Sequence, residues 1–342
     1  VTRPAANQPA LPADSSEAGE WLVAPIPFFS QQLGWGLVLG ASYIFQADAE
    51  SPPSSAGVGL LAAENGSEGA FAVVSPRLAA DTWRITAGGG AAEIRYDFFG
   101  IGDESGDEGT SLPLASTTEF AGLEVLREVV DDVYFGPRLT GLSVATDIRS
   151  GSDTPESIGD QLDVSALQVG LRLLSDTRDD TFFPRSGRLY DIKVDVSSEE
   201  WDSDLSYEIY QSELALYAEV ADDVVLAWRG LAEYGGGDTP FFFLPSHRLR
   251  GYVAGRYRDK LWTATEAELR VQLTPRFGMA VFTGLGWVTE SFSEIKLSNA
   301  LPSVGMGLRI RLSQQTPIDY RIDVATGADE ELVLYMSAGQ AF

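Results

Sequence analysis

From Trp35 the chain reads Trp-Gly-Leu-Val-Leu-Gly-Ala-Ser-Tyr-Ile-Phe, which puts Trp35, Leu37, Leu39, Ala41, Tyr43 and Phe45 on one face and glycines with Ser42 on the other. A period of two is that of a strand with one apolar face. The alternation is cleaner from Leu261 to Leu273, where Leu261, Thr263, Thr265, Ala267, Leu269, Val271 and Leu273 oppose Glu266, Glu268, Arg270 and Gln272. It recurs at Val304, Met306, Leu308, Ile310 and Leu312 against Arg309 and Arg311. A further run sets Ile318, Tyr320, Ile322 and Val324 against Asp319, Arg321 and Asp323. Charged residues in series on one side of a strand are not the lining of a dry core, and helical periodicity is nearly absent.

The breaks between these runs alternate in length. Short polar links at Ala79-Ala-Asp-Thr, Val130-Asp-Asp, Ala221-Asp-Asp and Thr274-Pro-Arg alternate with long segments at Asp48 to Gly57, Gly102 to Ser116 and Ser150 to Asp160. Short turns on one rim and long loops on the other are the pattern of a transmembrane antiparallel β-barrel of the outer membrane. The fold expected is all-β, with about sixteen strands. After a leader of about 20 residues, this leaves ~20 residues per strand and connection, enough for tilted spans of ~9–11. The aromatics Trp21, Trp35, Tyr43, Tyr210, Trp228, Trp262 and Trp287 sit near strand ends as interfacial girdles would, although Trp262 falls on the inward parity. Residues 1–20 have no periodicity and read as a flexible periplasmic leader without a signal peptide; residues 21–342 form the barrel.

Composition then narrows the chemistry. Of 342 residues none is cysteine and one is histidine, which excludes disulfides, thiolate metal sites and a multi-histidine centre. Fifty acidic residues against 24 basic give a formal charge of −26, so a nucleic-acid partner is not expected. Much of the acid lies in loops such as Asp103 to Glu108 and Ser198 to Asp204. No metal or organic cofactor is implied, and the membrane reading makes outer-membrane lipids a partner. Ser246 and His247 are adjacent in a long loop with no acidic orienter in sight, and read as loop polar residues, so no enzyme is expected.

A long segment, 235–260, carries Leu249-Arg250-Gly251-Tyr252 at its centre, after the eleventh strand. This resembles the (V/I/L)RG(F/Y) motif of the Omp85 superfamily, the bacterial surface antigen family, which places it in a loop between strands eleven and twelve folded back into the lumen. Asp176-Thr-Arg-Asp179 with Phe183-Pro184 and Gly187 is similar to the family's D-x-R-D…F-P-x-x-G element at a periplasmic turn. Phe98-Phe-Gly-Ile-Gly102 resembles its segment after the fifth strand, and Pro25-Ile-Pro27 with Leu33-Gly-Trp-Gly36 its first hairpin. The ending, with Tyr335, Gly339, Gln340 and Phe342, is similar to the family's barrel-assembly signal.

The resemblance implies a lumenal lock in which Arg250 needs an anionic partner. Glu266 and Glu268 on the next strand are the candidates, with Phe282 as a stacking partner. The family's aspartate on the following strand is replaced here by Gly284 in Phe282-Thr-Gly284-Leu-Gly286, so one contact of the lock is missing. Family members typically carry POTRA domains that bind clients or lipoprotein partners; about 20 leader residues are too few for one, and the expectation is a POTRA-less barrel of a Gram-negative outer membrane or a barrel cut from a longer protein. The function implied is outer-membrane protein assembly or polypeptide translocation, with a periplasmic or lipoprotein partner or client outer-membrane proteins. Its physical basis would be a lateral seam at Pro27, Phe28 and Phe342, weakened because prolines cannot donate ladder hydrogen bonds; Pro25 reads as lead-in before pairing begins. The alternative is a scaffold or transport barrel for a small solute, a lipid or a partner lipoprotein.

Overall fold

Alternating sequence becomes alternating exposure in the computed structural model, which describes residues 19–102, 105–106, 110–149, 161–181, 183–311, 319–328 and 331–342. Most of the leader, the loop 150–160, the acids Asp103, Glu104, Asp107 and Glu108, and the strand positions Leu312 and Ile318 lie outside these residues. The strands are β1 (Glu20–Ser30), β2 (Gly34–Phe45), β3 (Ser54–Ala63), β4 (Glu68–Ser75, continued by Arg77–Leu78), β5 (Trp83–Phe98), β6 (Leu112–Val130), β7 (Val133–Ile148) and β8 (Asp163–Asp176). They continue as β9 (Gly187–Ser197), β10 (Tyr207–Ala221), β11 (Val224–Gly237), β12 (Leu261–Gln272), β13 (Phe277–Thr289), β14 (Leu301–Arg311), β15 (Asp319–Thr326) and β16 (Leu332–Ala338). Pro76 interrupts β4 because it has no N–H, but its carbonyl still accepts from Ile85 at 3.1 Å. Each strand pairs antiparallel with the next, and β1 meets β16 to close a sixteen-stranded barrel. No α-helix occurs among the described residues, only three 3₁₀ turns.

The outer face is apolar and exposed, as at Trp35, Leu37 and Leu39 of β2 and Val304, Met306 and Leu308 of β14. The inner face carries the charges, with Glu266, Glu268 and Arg270 of β12, Arg309 of β14 and Asp323 of β15 all buried. That is the inverse of a soluble sandwich and suits lipid outside a polar lumen. Trp21, Trp35 and Tyr210 lie exposed on the outside, whereas Trp262 is fully buried beneath the inserted loop and belongs to no girdle.

Turn chemistry sets one rim. The two Asp-Asp links, 131–132 and 222–223, each place the second aspartate in the left-handed region (φ 61°) beside a register shift at Glu128/Val130 or Glu219/Ala221. Aspartate tolerates that conformation, so two residues suffice to reverse the chain. Residues 46–53 join β2 to β3 on this same rim. The reading of Asp48 to Gly57 as one of the long-rim loops is therefore corrected. Its length is taken up by local bonds: the Asp48 carboxylate accepts from the amides of Glu50 and Ser51, the Ser51 hydroxyl and the amide of Ala79.

Candidate functional site

The β11–β12 connection spans residues 238–260; Gly235, Gly236 and Gly237 still pair with Ile209, Glu208 and Tyr207, so β11 runs three residues into the segment assigned to the loop from sequence. Phe241 and Leu244 tuck into the barrel mouth, where Phe241 meets Phe98 edge-on at 5.2 Å. Gly102 donates to the carbonyl of Arg258 at 2.8 Å, stitching the Phe98–Gly102 segment to the end of the loop. The loop thus folds back over the lumen, and its tetrapeptide reaches the wall.

Each residue of that tetrapeptide has a separate task. Leu249 packs on Trp262, Ala264 and Leu231. The Arg250 guanidinium, buried, donates to Glu268 at 2.6 Å and to Asp323 at 3.0 Å, has Glu266 at 3.7 Å, and lies 3.4 Å over the ring of Phe282. Gly251 takes φ 110°, and any Cβ there would stand 2.7 Å from the backbone of Thr326, so only glycine lets the loop approach β15. Tyr252 donates through its hydroxyl to the carbonyl of Pro302 at 2.7 Å. The Tyr335 hydroxyl of β16 accepts from the amides of Gly251 (2.9 Å) and Tyr252 (3.2 Å) and donates to the carbonyl of Tyr252 at 2.6 Å. Arg250's own carbonyl accepts from the hydroxyl of Ser303.

The counter-charges form a network. Glu268, fully buried, accepts from Arg250, from Arg270 at 2.7 Å and from Arg309 at 3.4 Å. Asp323 bridges Arg250 and Arg309, and Arg229 pairs with Glu266. Asp323 is the acid that sequence reasoning missed. The contact expected to be lost at Gly284 is supplied instead from β15, and a Cβ at Gly284 would crowd Leu249 (3.1 Å) and Glu266 (3.0 Å). Room for Asp323 comes from Gly307 opposite it on β14, where a side chain would collide with its carboxylate. Asp323 was visible on the polar face of its strand; nothing local pointed it at a loop 73 residues away.

His247 corrects another expectation. It is not a solvated loop residue but fully buried, edge-on to Tyr252 at 4.3 Å and Trp262 at 5.2 Å, with Tyr257 at 5.9 Å. Among the described residues neither ring nitrogen has a hydrogen-bond partner, so Ser246 is not held as a nucleophile by His247. Burial pushes its imidazole down to about 3.

The seam residues part company. Pro25 lies opposite Leu39 and Pro27 opposite Leu37, so both are inside the strand and Pro25 is no unpaired lead-in. Pro27's carbonyl accepts from the Tyr320 hydroxyl of β15 at 3.0 Å, which turns its peptide group toward the seam. Phe28 instead points inward, its ring lying over Gly36. Phe342 leaves the seam altogether. Gly339 (φ 89°) turns the chain into the lumen, Gln340 donates to Asp319 at 2.8 Å, and the Phe342 ring lies 4.8 Å from Arg229 with its main-chain oxygen 2.7 Å from Arg270. Between β1 and β16 one position is paired, Phe29 with Met336, against eleven between β1 and β2 and seven between β15 and β16.

The Asp176–Gly187 element occupies the turn rim. The Asp179 carboxylate accepts from the amides of Arg185 (2.9 Å) and Ser186 (3.1 Å), and buried Phe183 lies 4.5 Å from the Arg311 guanidinium.

Comparison with known proteins agrees with this architecture. The Omp85 superfamily domain matches residues 92–342. BamA from Haemophilus ducreyi lacking POTRA domains 1-3 superposes with a TM-score of 0.65 at 13% identity, over 95% of this chain and 70% of that one. CdiB from Acinetobacter baumannii superposes with a TM-score of 0.59 at 12% identity, over 92% of this chain and 58% of that one. At such identities the likeness is one of fold. No curated protein sequence matches the chain.

Proposed function

Because the chain belongs to the Omp85 superfamily, we propose that it inserts or passes polypeptides at the outer membrane of a Gram-negative cell, with the β1–β16 seam as its working edge. The observation that carries this reading is the one position paired between β1 and β16 among the described residues, Phe29 with Met336, against seven between β15 and β16. Each missing ladder bond forgoes about 0.5–1.5 kcal/mol in water and more in lipid, where no solvent satisfies the orphaned groups. Such a seam is the cheapest place to open. An opened β1 edge presents N–H and C=O groups that a client strand can pair with. Client supply falls to a periplasmic or lipoprotein partner, and no step needs catalytic chemistry.

The test uses the absence of cysteine. Phe29→Cys with Met336→Cys places two thiols on directly opposed outward positions, at a Cα separation of about 4.5–5.5 Å that a disulfide spans. In proteoliposomes the reduced variant accelerates the folding of an unfolded outer-membrane barrel, the oxidised variant does not, and reductant restores it. Equal acceleration by both forms would defeat the seam reading.

One observation favours a second reading, passage of a small polar solute. Arg229, Arg248, Lys193, Asp191, Glu213 and Glu233 line a lumenal chamber of about 370 Å³. Solute flux that persists in the oxidised variant would assign the work to the lumen and not to the seam.

A further inference from the structure

The connection between β13 and β14, residues 290–300, is folded onto the outside of the barrel. On β13 the lumen-facing positions Gly278, Ala280, Phe282, Gly284 and Gly286 are buried, whereas Phe277, Met279 and Val281 are exposed and outward. Trp287 and Thr289 continue the outward parity. The Trp287 indole donates to the carbonyl of Lys296 at 2.9 Å, and the Thr289 hydroxyl, fully covered, donates to the carbonyl of Ser291 at 3.0 Å. The connection therefore descends over the lipid side of the wall and not over the lumen.

It is rigid and apolar at its tips. Two 3₁₀ turns, Phe292–Glu294 and Leu297–Asn299, are fixed by bonds from Glu290 N–H to the Glu294 carboxylate, from Lys296 N–H to the Asn299 side chain and from that side chain to the Glu294 carbonyl. The Glu290 carboxylate accepts from Lys260 at 2.7 Å, which ties the base of the connection to the end of the inserted loop. On this scaffold Phe292 is 65% exposed and Leu297 83% exposed. Two large apolar side chains presented by a fixed backbone are an interaction surface. Their position selects the partner, because they continue the apolar outer band of Val281, Val304 and Met306 toward the loop rim.

We propose that residues 290–300 are an interfacial flap, with Phe292 and Leu297 lying at the headgroup–acyl boundary of the outer leaflet and Lys296 at the headgroups. An amphipathic segment at that depth buries apolar side chains while its polar groups stay wet. Being held in shape by its own bonds, the flap loses little freedom on contact.

Four single-cysteine variants of the full chain test this: Phe292→Cys, Leu297→Cys, Val281→Cys as a wall position and Glu200→Cys as an exposed position on another loop. Each carries an environment-sensitive fluorophore and is reconstituted in phosphatidylcholine vesicles with or without brominated acyl chains. The labels at 292 and 297 should be blue-shifted and show most of the quenching seen at 281, while the label at 200 shows none. Labels at 292 and 297 that behave like the one at 200 would overturn the flap and leave the pair as a surface for a protein partner. Quenching at 281 sets the scale for a lipid-facing label, the shifted migration of the folded barrel on unheated SDS gels confirms insertion of each variant separately, and the outcome is independent of whether the seam opens.

Discussion

Glu268 is fully buried and touched by three guanidinium groups, which makes it a sensitive position in the lumen. Its loss leaves Arg250, Arg270 and Arg309 short of a counter-charge, and removing one partner of a buried ion pair costs about 3–5 kcal/mol. Glu268→Ala should therefore expose the 238–260 loop to protease and lower the temperature at which the barrel unfolds on SDS gels. Asp323→Asn should have a smaller effect of the same sign, because Glu268 still serves Arg250. Gly284→Asp added to Asp323→Asn should not rescue it, since Leu249 and Glu266 crowd that position. His247 gives the loop a pH dependence. Its imidazole, normally near 6.5, is held near 3 by burial in the docked loop, so between those values the undocked loop takes a proton that the docked loop refuses. Docking should be insensitive above pH 6.5 and weaken by ~1.4 kcal/mol per unit below it. Burial alone lowers the imidazole, so the packing of Tyr252, Tyr257 and Trp262 around the ring is what excludes the proton. His247→Phe keeps the aromatic packing and should abolish the rise in protease sensitivity at pH 5; a rise that survives would place the titration elsewhere.

At the scale of elements, strand faces were legible and long-range contacts were not. Period two in β2, β12, β14 and β15 fixes which residues face lipid, and a slip of one residue would invert every face, so the pattern determines the barrel strongly. Alternation carries no information on how a chain end or loop turns once a strand stops. Phe342 illustrates this: it ends an apolar strand by sequence, yet Gly339 redirects it to Arg229 and Arg270 across the lumen. Asp48 to Gly57 illustrates it too, since its length resembles an outer loop and its bonds make it a compact turn. The β1 prolines are a middle case, visible in sequence but with their consequence set by parity. Pro27 shows its carbonyl to the seam, and Pro25, two residues away, has the same orientation. Both therefore withhold donors from β16 and spare the ladder with β2. Pro25→Ala with Pro27→Ala should slow seam opening, read as slower hydrogen exchange at the amides of Phe29 and Met336; unchanged exchange would place the weakness elsewhere.

Across the whole molecule the inserted loop and the seam meet on one strand. The hydroxyl of Tyr335 holds the backbone of Gly251 and Tyr252, and the next residue, Met336, is the seam's paired position. A loop that grips β16 from inside restrains the strand whose other edge faces β1, so on the proposed seam reading release of the loop and opening of the seam share one free energy. Tyr335→Phe removes three hydrogen bonds without touching the seam pair or the Arg250 network. Leaving the Gly251 and Tyr252 groups without their partner should cost about 1–3 kcal/mol, roughly a five- to hundredfold change in the docked equilibrium. In the reducible Phe29→Cys, Met336→Cys background, the added substitution should raise both protease sensitivity of the loop and client insertion while the thiols are reduced. Once they are oxidised, reciprocity requires the loop to be better protected than in the reduced form, with insertion absent. Loop protection that is indifferent to the disulfide would mean that the two devices occupy the same strand without communicating.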